Sequence, residues 1–342
     1  MKKIFKIIII IAILLAAGVG IYFAYNNYGS RKTHSELNVL NWTSYIPNEI
    51  IEEFETEYNI KVNYSTYSSN EELLAKVSSS SAGTYDLIFP SDYLVELMLE
   101  RKMLENIDKS RLKNYQNIDA KLLNQKFDEG NQYSLPFLLA TTLIAYDTSK
   151  INNITSYRDL FSSELKNDLI LIDDQRVIIG SMLSTLGYSF NDTDSAHLEE
   201  SLSLFNELKP NIKAFDSDSP KTFFITGEAD AGIVWNAEAI LAQNERENIA
   251  TVYPKEGFVI SMDNFCITKD AKNVNNAYLF IDFLLRNDIA TRIIEEYPYI
   301  SSNHNINTVS DSELAYILSA GSYIENIGKD IKKLDKLWSR YK

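Results

Sequence analysis

From Leu37 onward the chain alternates short β-type runs with amphipathic stretches of helical period. Residues 37–41 predict a strand, and 49–58, with Ile50, Ile51, Phe54 and Tyr58 on one face, predict a helix. Residues 60–64 predict the next strand, Asn70 an N-cap for a helix carrying Leu73, Leu74 and Val77, and 85–89 a third strand, followed by a helix through Leu94, Leu97 and Met98. This βαβαβ order implies a parallel, doubly wound sheet. Farther on, 168–172, 229–235 and 258–267 predict strands separated by helices around 197–208, 222–226 and 237–243, and the carboxyl third (275–285, 289–296, 314–341) is mostly helical. No repeat, low-complexity tract or Pro/Gly/Ser linker interrupts this pattern, so two lobes joined by crossing strands or short hinges are expected, not tethered domains.

The amino end has a different pattern. Lys2, Lys3 and Lys6 precede an apolar run over 7–25, closed by Asn26, Asn27, Tyr28, Gly29 and Ser30. Nineteen residues at about 1.5 Å rise span roughly a hydrocarbon core and exceed a usual signal-peptide core of about 7–15 residues. The expectation is an uncleaved signal-anchor over 1–30 and a juxtamembrane stalk over 31–36. A cleaved secretory signal is the alternative, but a cut at Ala16 or Gly18 would fall inside the apolar run. With the lysines before the run, the positive-inside rule places everything after Ser30 outside the cell membrane. The only cysteine is Cys266, so there is no lipidation acceptor near the membrane and no internal disulfide. Set in Phe265-Cys266-Ile267, it is expected to be a buried, inert thiol.

The net charge is −14, and because residues 1–30 hold three lysines and no acid, the remainder carries −17. Such acidity disfavours nucleic acid and anionic surfaces and attracts cations. His34, His197 and His304 lie on unrelated segments, and neither a Gly-x-Ser-x-Gly elbow nor a phosphate-cradling glycine loop occurs. The reading is a binding protein, not an enzyme, without metal or cofactor.

In open α/β sheets ligands bind at the carboxyl ends of strands. Those ends carry Asn41-Trp42-Thr43-Ser44-Tyr45-Ile46-Pro47, Ser65-Thr66-Tyr67, Pro90-Ser91-Asp92-Tyr93, Asp173-Asp174, Trp235-Asn236 and Ser261-Met262-Asp263. Each element has a bland reading: Trp42 or Trp235 as packing, Asp173 or Asp174 as a helix N-cap, Tyr67 and Tyr85 as structural. Their repetition at strand ends favours a ligand. Aromatic faces attract ammonium groups by about 0.5–2 kcal/mol, carboxylates compensate lost hydration, and the rings wall the methylenes between charges. Trp, Tyr and Asp together suit an alkyl polycation.

At these residues the sequence resembles the spermidine/putrescine-binding proteins of ABC transporters. The likeness rests on Asn-Trp-Thr-Ser-Tyr-Ile-Pro at 41–47, Tyr-Ser-Thr-Tyr-Ser-Ser-Asn-Glu at 64–71, Tyr-Asp-Leu-Ile-Phe-Pro-Ser-Asp-Tyr at 85–93 and Ile-Asp-Lys-Ser at 107–110. It continues through Tyr-Ser-Leu-Pro at 133–136, Val-Trp-Asn at 234–236, Tyr-Pro-Lys-Glu-Gly at 253–257 and Phe-Leu-Leu-Arg at 283–286. It implies a two-lobed α/β type II periplasmic-binding-protein fold with mixed β-sheets and a hinge, lobe 1 being 37–139 and 263–307 and lobe 2 being 140–262 and 308–342. It implies a polyamine ligand (putrescine, spermidine or both), ABC permease subunits as partners, and a monomer. By the same resemblance, Trp42 and Tyr45 form a wall, Ser91 and Tyr93 the floor, Asp174 and Trp235 come from lobe 2, Asp263 anchors an ammonium, and Tyr299 closes the aromatic box.

Three positions depart from the family pattern: Val177 stands where a glutamate is expected, Ser261 where a tryptophan is, and Ile324 or Glu325 near an expected glutamine. Asp92 is the expected replacement for the missing acid. Two other functions keep the fold: a binder of ferric iron, thiamine or a sugar, and a polyamine sensor or adhesin without transport. Strand ends rich in carboxylates and poor in arginine argue against an anion.

Overall fold

The computed structural model describes residues 35–306 and 308–342. The predicted anchor over 7–25 lies outside the described residues; among those described, no helix is long and apolar enough to cross a membrane. Two residues of the expected stalk, Ser35 and Glu36, already belong to the first strand, opposite Ile60 and Lys61.

The amino-terminal part is a βαβαβα run: β1 (Ser35–Trp42), α1 (Asn48–Tyr58), β2 (Ile60–Tyr67), α2 (Asn70–Ser79), β3 (Leu87–Ile88) and α3 (Asp92–Glu100). β1 pairs in parallel with β2 on one side and β3 on the other, as the alternation predicts. α1 buries Ile50, Ile51 and Phe54 and stops at Asn59, a residue in the left-handed region with φ of 53°. Ser69, not Asn70, caps α2, accepting from the Glu72 backbone N–H at 3.2 Å; Asn70 is the first helical residue and its side chain turns to Ser91. Fully buried Asp86, just before β3, accepts from the backbone N–H groups of Asn38, Lys272 and Asn273, fastening the first strands to the late helices.

Next come β4 (Leu135–Asp147), β5 (Leu169–Leu171), α4 (Gln175–Thr185), α5 (Ser195–Leu208), β6 (Ile212–Phe215), α6 (Lys221–Thr226), β7 (Ala231–Trp235), α7 (Asn236–Glu245), β8 (Ile249–Val252) and β9 (Val259–Ile267). The chain ends with α8 (Val274–Leu284), α9 (Asn287–Glu296), β10 (Ile300–Ser301), α10 (Asp311–Ala320), β11 (Ser322–Tyr323) and α11 (Ile331–Tyr341). The mixed sheet runs in the order β2-β1-β3-β9-β4-β7-β5-β6, with β8 and β10 also on β4 and β11 on β9.

Two strands tie its halves together. β4 and β9 pair antiparallel over Leu135–Thr141 and Ile260–Phe265; β4 then continues into pairing with β7, while Cys266 and Ile267 of β9 pair with β3. The sequence pattern did not reveal β4, because all thirteen of its residues are buried and no polar/apolar alternation marks it. The short strands β6 and β8 also escaped. The helical stretch expected over 314–341 is broken at 322–323, where β11 adds to β9.

The core divides accordingly. One cluster packs β1 and α1 against α8 and α9, with the Phe54 and Phe280 rings 4.8 Å apart; another packs α4, α5 and α11, with Phe205 stacked on Tyr341 at 4.0 Å. Cys266 is fully buried, and burial pushes its thiol pKa well up. Gly232 lies in β7 between β4 and β5, and a Cβ there would come within 2.2 Å of the Ile170 carbonyl oxygen. Gly232→Ala is therefore expected to destabilise the protein by about 2–3 kcal/mol, read as a lower urea midpoint.

Candidate functional site

A cavity of about 340 Å³ opens where β1, β3 and β7 end, against the middle of β9, within the size range of small-molecule sites. Its centre is Asp263, 2 % exposed. One carboxylate oxygen accepts from the Ser91 hydroxyl at 2.6 Å, the other from the Tyr45 hydroxyl at 2.5 Å. Ser91 is positioned in turn by Asn70, whose amide donates to the Ser91 hydroxyl at 3.1 Å and accepts from its backbone N–H at 3.2 Å. Among the described residues no lysine or arginine pairs with Asp263. Burial pushes its pKa up to about 6, against the pull of the Ser91 and Tyr45 hydroxyls.

Rings surround this acid. Tyr45 lies 4.9 Å from Tyr299 and 6.2 Å from Trp42, and Trp42 lies 4.6 Å from Tyr67. The Trp42 indole N–H and the Tyr67 hydroxyl both donate to the Phe89 carbonyl, at 3.0 and 2.6 Å, fixing the two rings. Trp235 enters from the end of β7. On another side, Tyr93 donates to Glu71 at 3.1 Å, and Asp174 caps α4 through one oxygen, accepting from the backbone N–H groups of Arg176 and Val177.

A buried acid without a basic partner among the described residues, walled by tyrosine and tryptophan, offers countercharge and aromatic faces of the kind that suit an organic cation. The chain matches the family model described as bacterial extracellular solute-binding protein over residues 49–315.

It belongs to that family.

This solute-binding protein is 41% identical over 265 residues to the spermidine/putrescine-binding periplasmic protein of Salmonella typhimurium, covering 77% of this chain and 76% of that one. It is 39% identical to the protein of the same name from Escherichia coli, covering 79% and 78%. Among solved structures it superposes with a TM-score of 0.76 and 30% identity on a spermidine/putrescine ABC transporter substrate-binding protein from Streptococcus pneumoniae, covering 90% and 98%.

Of the nine residues singled out in the sequence, eight border the cavity: Trp42, Tyr45, Ser91, Tyr93, Asp174, Trp235, Asp263 and Tyr299. Asp92 does not. Its side chain turns away to accept from the Tyr93 and Met262 backbone N–H groups at 2.7 and 3.1 Å, joining α3 to β9, so the expectation that it replaces the missing acid finds no geometric basis. Burial raises its pKa to about 8. Val177 is fully buried in the core, and Ser261 lines the cavity. Sequence reasoning missed Glu71, Arg176 and Glu238, which lie within helices and not at strand ends. The guanidinium of Arg176, 5.8 Å from the Tyr93 ring, donates to Asn191 and to the Glu325 carbonyl.

Because Asp92 and Asp263 hold protons in the folded state at pH values where unfolded aspartates have lost them, their contribution to stability falls as pH rises from about 4 through about 6 for Asp263 and about 8 for Asp92. Denaturation midpoints of the ligand-free protein between pH 4 and 7 are expected to decline less steeply with pH in Asp263→Asn than in the wild type.

Proposed function

We propose that this protein is the extracytoplasmic substrate-binding component of an ABC importer, capturing a linear polyamine, putrescine or spermidine, and delivering it to permease subunits. The observation that carries this reading is the Asp263 carboxylate, buried against Tyr45, Tyr299 and Trp42 with hydroxyl partners but, among the described residues, no basic one. An unpaired buried carboxylate is costly, and its pKa responds by rising. An ammonium from the ligand supplies the missing countercharge, and the rings replace water around its methylenes. The names of the relatives from Salmonella typhimurium and Escherichia coli point to the same ligand class.

The lobes of this reading are 37–139 with 263–307 and 140–262 with 308–342. Two of the three divisions, 139/140 and 262/263, fall inside the crossing strands β4 and β9, a placement suited to hinge closure over the ligand. The apolar run over 7–25 would tether a monomeric binding domain outside the cell membrane.

Titration of the full-length chain with putrescine, spermidine, spermine and arginine tests the proposal. A linear diamine or triamine is expected to bind and to change tryptophan fluorescence through Trp42 and Trp235. Asp263→Asn should weaken it about 100-fold, the scale of about 2–5 kcal/mol for breaking a buried charge pair. Uptake of a sugar or an oxyanion alone would overturn the assignment. The pH dependence has a definite sign: binding needs ionised Asp263, so affinity should fall as pH drops below about 6. Calorimetry at pH 5 and pH 7.5 reads it directly.

A further inference from the structure

A second acid-and-ring arrangement borders the cavity, built by elements that take no part in holding Asp263. Asp173 lies in the loop between β5 and α4, Trp338 lies on α11, and both line the cavity. The Trp338 ring is firmly placed. It meets the ring of Phe215, the last residue of β6, edge-on at 5.6 Å, and that of Tyr341 at 5.9 Å; Tyr341 is itself stacked on Phe205. One turn before Trp338, Asp335 accepts from the Gln175 side-chain amide at 3.0 Å, which pins α11 to the start of α4. Asp174, next in sequence to Asp173, gives an oxygen to the α4 cap, whereas Asp173 keeps 41 % of its side chain exposed.

Into this corner the chain places an alkylammonium of its own. The Lys342 Nζ lies 2.5 Å from an Asp173 carboxylate oxygen, 5.2 Å from the centre of the Trp338 ring and 5.5 Å from that of Phe215, both within reach of a cation–π contact. A lysine side chain is a primary ammonium on a four-carbon stem, so the corner accommodates the chemistry of a linear amine's terminus. Because Asp173 and Lys342 are both partly exposed, the corner faces solvent as well as the cavity and stands at its mouth.

We propose that Asp173, Trp338 and Phe215 form an outer subsite for a primary ammonium, which an incoming linear amine occupies before it reaches Asp263 and which Lys342 fills in the ligand-free protein. The inference takes its ligand class from the polyamine reading given above. An exposed ion pair of this kind contributes little to stability, so Lys342 gives way to a ligand ammonium that makes the same contacts. Asp218 and Glu71, exposed acids that also border the cavity, add charge of the same sign and concentrate cations at this edge. The two acids divide the work by their solvation: Asp263, 2 % exposed, holds a cation in a desolvated site, while Asp173, in contact with water, holds one weakly and releases it readily.

An NMR titration of the full-length chain with putrescine, following the Trp338 indole N–H assigned with Trp338→Phe, tests this in the wild type, Lys342→Met, Asp173→Asn and Asp263→Asn. In the wild type the Trp338 signal is expected to move in a step at putrescine concentrations well above those that fill the inner site. Lys342→Met should bring this step to several-fold lower concentration, Asp173→Asn should abolish it, and Asp263→Asn, which weakens the inner site, should leave it in place. Thermal melts of the ligand-free variants verify folding. A Trp338 signal that stays still in Lys342→Met, or whose movement vanishes in Asp263→Asn, overturns the proposal while leaving tight binding at Asp263 intact. A wild type that shows the Trp338 step but no tighter binding of any linear amine would instead overturn the polyamine reading and leave the outer subsite standing.

Discussion

The site is organised around one carboxylate almost wholly withdrawn from water. Asp263 sits on β9, one of two strands shared by both halves of the sheet, where no basic side chain among the described residues answers it. Its two oxygens draw in a hydroxyl from the start of α3 and a phenol from the loop after β1, and Asn70 holds the first of these in place. The ends of β1 and β3 are thereby fixed to the middle of β9 by a single desolvated charge. The hydroxyls reduce the cost of burying it without neutralising it, which leaves the site matched to a cation from outside.

Neighbouring acids show how context separates identical chemistry. Asp92 and Asp263 are both buried aspartates, yet Asp92 has its oxygens on two backbone amides and serves to join α3 to β9, while Asp263 has its own on side-chain hydroxyls at the cavity wall. Glu238 follows a third pattern, held by a lysine at the cavity edge. An acid's availability to a ligand depends on what its remaining lone pairs face, which residue type alone does not specify.

The aromatic wall obeys the same logic. Trp42 and Tyr67 are both fixed on the Phe89 carbonyl, so their faces are preset before any ligand enters. A preset surface needs little reordering on binding, which reduces the protein's share of the entropic cost of holding a ligand against it. Tyr67, which the sequence reading left as structural, therefore both supports Trp42 and borders the cavity.

The α/β alternation and the strand-end aromatic and acidic clusters were legible in the sequence, and those clusters hold seven of the eight anticipated residues that border the cavity, because strand ends in such sheets converge wherever the chain places them; the eighth, Tyr299, came from the resemblance to the spermidine/putrescine-binding proteins. Local periodicity also located most helices, whose apolar faces repeat within a few residues. It could not reveal β4, whose uniform burial erases alternation, nor the role of Asp92, whose partner Met262 is distant in sequence. Nor could it separate Glu238 from the many other acids of a chain with net charge −14. Only tertiary structure decided which carboxylates meet backbone amides, which meet lysines and which face the cavity. Those assignments depend on contacts between residues that are far apart along the chain, and no short-range pattern encodes them.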